Sequence, residues 1–241
     1  MGLFQRIFFA VLVAGLISGA AMAALQQWRV TPLILAAEVY ENAAPEAPAH
    51  AHDAGAPAHD HGGDEWAPQD GLERTAYTVA ADIFVALGFA FVVAAASVLT
   101  GLPVTAANGV LWGIAGFAVF QLAPAFGLPP ELPGMPAVEV VPRQIWWWGT
   151  VLATATAIYG VARFRNIAAV LVAVALVLAP HVIGAPQIEG AHAGGVPAHL
   201  AAAFASATLF SGAAFWLILG PLYGYLVERF SRATAGAAVT A

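Results

Sequence analysis

The chain has 241 residues, of which 61% are hydrophobic and only 9% are charged, against the roughly 25% charged usage of soluble domains. That much apolar surface exceeds what a water-surrounded core can bury, and a net charge of −6 opposes the basic footprint a nucleic-acid binder needs. With neither cysteine nor lysine in the sequence, disulfides, thiolate metal sites, cysteine nucleophiles and the G-x-x-x-x-G-K-[ST] phosphate loop are excluded, so any ATP-driven step would need another subunit.

A helix needs about 20 mostly apolar residues to cross the hydrocarbon core, and six segments approach that length. In chain order they are Ile7 to Leu25, Ala76 to Leu99, Asn108 to Leu128, Ile145 to Ala162, Ile167 to Ile183 and Leu200 to Val227. The pattern predicts an all-α fold, a polytopic transmembrane helical bundle of about six spanning helices. Its parts are a first helix over 1–25, an outer loop over 26–75, a five-helix membrane bundle over 76–228 and a cytoplasmic tail over 229–241. The count falls to five if the first segment is cleaved, or if the third, interrupted by Gln121 and Pro124, does not span.

The first segment allows both readings. Arg6, an apolar run and Ala21-Met22-Ala23 resemble a secretory signal with a small-residue cleavage site. The run of 19 residues and the Gly15/Gly19 pair instead suit a retained, packed helix. Gly109 with Gly113 and Gly220 with Gly224 repeat that small-xxx-small spacing.

Cytoplasmic loops carry an excess of basic residues. With the amino terminus inside, Arg6, Arg163, Arg165, Arg229 and Arg232 are cytoplasmic, whereas Arg29, Arg74 and Arg143 face out. The outer side then receives 26–75, the Pro-rich stretch from Leu128 to Arg143, and the stretch from Gly184 to His199. Six of the seven histidines fall in these loops, and His181 sits at the outer end of the fifth span.

The first outer loop contains His50-Ala51-His52-Asp53 and, nine residues on, His59-Asp60-His61. In an extended chain, residues two apart point to the same side, so each His-x-His pair can offer two imidazoles to one ion, with Asp53 or Asp60 completing the shell. His50, His52, Asp53, His59, Asp60 and His61 are therefore candidate metal ligands, and short His-rich tracts are a compositional sign of metal binding. The plain alternative is a solvated linker that binds metals only adventitiously. Glu38 to Glu73 hold nine acidic groups and no Lys or Arg, a field that concentrates cations of any kind.

Polar side chains inside apolar segments are costly and invite a functional hypothesis. Asp82 lies six residues into the second span, roughly 9 Å along it. Gln121 lies at comparable depth in the third span, and His181 follows Pro180 near the outer end of the fifth. Together they could line an outward vestibule on a transport path. The alternative places Asp82 at the interface or in a pair with Arg74, and makes His181 an interfacial residue. Trp146-Trp147-Trp148, where the fourth span begins, reads as an interfacial anchor, with an aromatic ligand cage as the other reading.

Several stretches taken in order resemble the CbtA family, the predicted cobalt transporter subunit. They are Leu25-Gln26, Pro32-Leu33-Ile34 and Glu38; Glu65-Trp66-Ala67-Pro68 and Asp70 to Thr75; Leu111 to Phe117; Gln121-Leu122-Ala123-Pro124; Gly127 to Gly134; Arg143-Gln144; and Pro180 to Pro186. The resemblance covers nearly the whole chain. It implies a bacterial inner-membrane, multi-pass protein that imports cobalt, commonly beside a small His-bearing subunit, CbtB, and linked to cobalamin supply. It also implies five spanning segments, where six are counted here. Cobalt comes from the resemblance alone: nitrogen and oxygen ligands fit Co(II), but copper and usually nickel bind the same groups more tightly.

Two functions compete. One is a subunit for uptake of a divalent transition metal, capturing it at the outer loop and passing it through the bundle. The other is a metal-binding or sensory membrane protein that forms no path. An enzyme is not expected, since H-E-x-x-H, G-x-S-x-G and helical histidine pairs at i, i+4 are all missing from the sequence. No resident cofactor is expected either.

Overall fold

A computed structural model of the chain describes residues 2–43, 68–69, 71–136, 138–188 and 195–239. The structure is an all-α membrane bundle, and no strand occurs among the described residues. The described residues form seven helices, α1 (Leu3–Arg29), α2 (Thr31–Ala43), α3 (Leu72–Thr100), α4 (Gly109–Ala125), α5 (Val140–Phe164), α6 (Ile167–Ile183) and α7 (Ala198–Val239).

Local chemistry sets most of these boundaries. Helix α1 begins where Gln5 Oε1 accepts the Gly2 amide at 3.1 Å. It stops before Pro32, which cannot donate to the helical ladder, and α2 restarts at once with the Leu33 and Ile34 amides on the Val30 carbonyl. The segment expected to be loop from Gln26 thus opens as helix. Gly101 ends α3 in the left-handed conformation (φ 67°), which glycine adopts without a Cβ penalty. Only Arg165 and Asn166 separate α5 from α6. Arg165 is left-handed (φ 48°), and Asn166 caps α6 by accepting the Ala169 amide at 2.8 Å.

Among the described residues three helices are long and apolar enough to cross a membrane: Phe4–Arg29, Leu72–Thr100 and Ala198–Arg232. Helix α5, with 25 residues, is about 37 Å long at 1.5 Å per residue. Gly109–Ala125 and Ile167–Ile183 are shorter apolar helices; 17 residues give about 25 Å against a core of about 30 Å. Apolar side chains point outward throughout, as in Phe84, Leu171 and Val182, the arrangement that lipid rather than water permits.

Close backbone approach holds the bundle together. A Cβ at Gly15 would lie 2.7 Å from the Leu87 side chain, and one at Gly19 would lie 2.8 Å from the Ile83 Cα, so α1 and α3 run antiparallel in contact. Helices α4 and α7 pack the same way. A Cβ at Gly109 would lie 2.6 Å from the Gly220 carbonyl oxygen, while Gly113 abuts the Trp216 carbonyl and Gly224 that of Thr105. At the Gly224 end the Ala106 amide donates to Glu228 Oε1 at 3.2 Å. Between these pairs Phe120 stacks on Trp216 with centroids 5.7 Å apart, and Phe89 packs edge-on against Phe120 at 5.0 Å.

Candidate metal path and outer cavity

The six loop ligands predicted from sequence, His50, His52, Asp53, His59, Asp60 and His61, lie outside the described residues, as does His192. Among the described residues no three His, Asp or Glu side chains converge as a metal site. His199 is exposed at the start of α7.

The three polar residues proposed for the bundle occupy three different helix interfaces. Asp82 sits where α3 meets α1. Its Oδ1 accepts from Gln26 Nε2 at 3.0 Å, and its Oδ2 is buried with no protein partner. Arg74 is not joined to it, and instead pairs with Glu38. His181, at the end of α6, lies edge-to-face with Phe126 (6.1 Å) and Trp146 (5.7 Å). The indole Nε1 of Trp146 donates to the Pro180 carbonyl at 3.0 Å. Trp146 is thus a buried strut between α5 and α6, whereas Trp148 is half exposed, as an interfacial anchor would be.

Gln121 lies in a π-helical turn, Ala118–Leu122, in the middle of α4. Pro124 follows directly and cannot donate to the ladder, and such turns recur at functional sites. The Gln121 side chain is pressed against Gly212 of α7, where a Cβ would lie 2.6 Å from Nε2, and its Oε1 is buried without a protein partner.

Gln121 opens into a cavity of about 410 Å³ at the end of the bundle expected to face out, with Glu131, Arg143, Gln144 and Thr208 among its lining residues. Neither Asp82 nor His181 lines it. Glu131 and Arg143 form an ion pair at 3.0 Å, both partly exposed. Thr208 Oγ1, like Gln121 Oε1, is buried with no protein partner. Phe120 and Trp147 supply apolar lining, their centroids 6.3 Å apart, and Phe120 also stacks on Trp216.

The cavity gathers Gln121-Leu122-Ala123-Pro124, the Pro-rich stretch around Glu131, and Arg143-Gln144, three of the stretches quoted above for their resemblance. Residues 4–228 match the model of the CbtA family, described as a probable cobalt transporter subunit. The chain belongs to the CbtA family. No curated protein and no solved structure matches it.

In this CbtA chain, sequence reasoning singled out Gln121 but passed over Glu131, Arg143, Gln144 and Thr208. Charged residues in a Pro-rich loop read as ordinary surface, and a threonine in an apolar helix ordinarily bonds its own backbone. The available signal was that Gln121, Glu131 and Arg143 each lay in a quoted stretch; proximity supplied the rest.

Proposed function

We propose that this CbtA chain is the multi-pass membrane subunit of a system that imports a divalent transition metal, cobalt, across the bacterial inner membrane in support of cobalamin supply. The family match over residues 4–228 carries this reading. It is supported by polar groups inside apolar helices, Asp82 and Gln121, each with a buried oxygen that no protein donor satisfies, as expected of groups that line an ion pathway. The His-rich loop captures the ion through His50, His52, His59 and His61 with Asp53 and Asp60, and the bundle passes it inward. The chain works as a subunit, with CbtB as the partner and no catalytic chemistry of its own.

Uptake of labelled cobalt by vesicles containing the full chain, with and without CbtB, tests the proposal. Cobalt bound to the vesicles but never transferred inside would favour the sensory reading instead. Changing the four loop histidines to alanine should remove high-affinity binding to the full chain. Imidazole must be neutral to coordinate and its unperturbed pKa is about 6.5, so binding holds above that pH and is lost as pH falls below about 6. Affinity unchanged in the quadruple variant would reject the loop as the capture site.

Orientation is tested separately. A reporter fused at Gly55 should be active only outside the cytoplasm, and one at the carboxyl terminus only inside it. The reverse pattern would remove the loop from the side on which capture has to occur.

A further inference from the structure

We propose that the outer cavity is a docking site for a divalent cation that enters with its hydration shell intact, and that Arg143 is a tethered cation holding the Glu131 carboxylate until the ion displaces it. This rests on the transport reading above and names the form in which that site takes its substrate.

The donors argue for a hydrated ion. A dehydrated transition metal needs several imidazole, thiolate or carboxylate ligands at about 2 Å, and the cavity offers one carboxylate, Glu131, beside the amides of Gln121 and Gln144 and the hydroxyl of Thr208. Two of these groups carry buried oxygens that no protein donor reaches, Gln121 Oε1 and Thr208 Oγ1. Leaving such atoms unmatched is costly. A metal-bound water is a strongly polarised donor and matches what an amide oxygen lacks.

Size agrees with this. Six waters occupy about 180 Å³ at roughly 30 Å³ each, and the cavity of about 410 Å³ admits that shell with space for an exchanging water layer. The apolar lining from Phe120 and Trp147 makes no demand on the ion's ligands.

Arg143 explains how a partly buried carboxylate persists in such a place. Its guanidinium sits 3.0 Å from Glu131 and supplies the charge that an arriving cation would otherwise provide. The guanidinium is always charged, so it cannot leave by losing its proton. It vacates Glu131 only by swinging on its long side chain, and that side chain is already partly exposed. A monovalent cation, with half the charge, competes poorly against an arginine already in place, so the pair also discriminates by charge.

The test uses the full chain in lipid nanodiscs, with His50, His52, His59 and His61 changed to alanine so that loop binding does not mask the cavity. The probes are Co(II) and hexaamminecobalt(III), an exchange-inert ion of similar size that can bind only through its outer shell. Both should bind, each displacing the other. Arg143→Gln should tighten Co(II) binding about tenfold and Glu131→Gln should weaken it by about as much, because each changes the charge beside the ion by one unit. Gln121→Leu should weaken both probes, while thermal melting confirms that each variant is folded. Inert-ion binding that fails to compete with Co(II), or a folded Arg143→Gln variant with unchanged affinity, overturns the proposal. Vesicle uptake separates the two readings: binding as described without uptake sinks the transport function and leaves the cavity site standing, whereas uptake that ignores all three substitutions sinks the cavity site alone.

Discussion

Gly113→Leu is expected to prevent accumulation of the folded protein. Gly113 lies against the Trp216 carbonyl, and its neighbours in the same contact, Gly109 and Gly220, face each other through bare backbone. A Cβ there meets backbone rather than the yielding end of a flexible side chain, so relief requires moving one helix away from the other. Overpacking typically costs about 1–3 kcal/mol, and here the displacement also disturbs Trp216, which is buried and stacked on Phe120. Abundance in the membrane and the melting temperature of the purified protein should both fall sharply. Gly149→Ala and Gly160→Ala in α5 are the controls, since nothing lies within 4 Å of a Cβ at either position, and they should leave both measures unchanged or slightly raised. Parental abundance of Gly113→Leu would mean that α4 and α7 are not packed through these glycines.

Asp82→Asn is expected to cut metal uptake by about tenfold or more through loss of one charge beside a partly dehydrated ion, while leaving abundance and thermal stability near parental. A carboxylate at the centre of a spanning helix costs about 2.5–3.5 kcal/mol on insertion scales, and less near the interface. The structure makes this substitution discriminating. Gln26 Nε2 donates to Asp82 Oδ1 at 3.0 Å, and the amide oxygen of asparagine can accept the same bond, so the α1–α3 contact survives. What disappears is the negative charge, including that at Oδ2, which has no protein partner. Uptake and abundance measured together decide the matter. Parental uptake from an equally abundant variant removes Asp82 from the ion path and leaves it an interfacial helix contact.

The apolar runs made the all-α membrane bundle legible in the sequence, because lipid imposes one rule on every spanning segment: the backbone must satisfy its own hydrogen bonds, so a long run of apolar residues becomes a helix. The apolar segment Ile167 to Ile183 coincides with α6, and turn chemistry at Arg165-Asn166 sets where it begins. Glycine spacing pointed to close packing but not to partners. That Gly109 and Gly113 face Gly220 and Trp216 depends on how two segments about a hundred residues apart align.

The site divides along the same line. Asp82, Gln121 and His181 were identifiable singly, because a polar side chain in an apolar run stands out whatever surrounds it. Depth along a helix says nothing about azimuth, however, and the three face different neighbours: Gln26, Gly212, and the rings of Phe126 and Trp146. The cavity was legible only at Gln121, since Glu131, Arg143 and Thr208 join it from a Pro-rich loop and two further helices. By itself the sequence determined which segments form apolar helices and which polar side chains lie within them, because hydrophobicity is a property of each segment. Only the tertiary structure decided which of those groups share a cavity, because that depends on the rotation of each helix about its own axis, set by contacts between segments far apart in the chain.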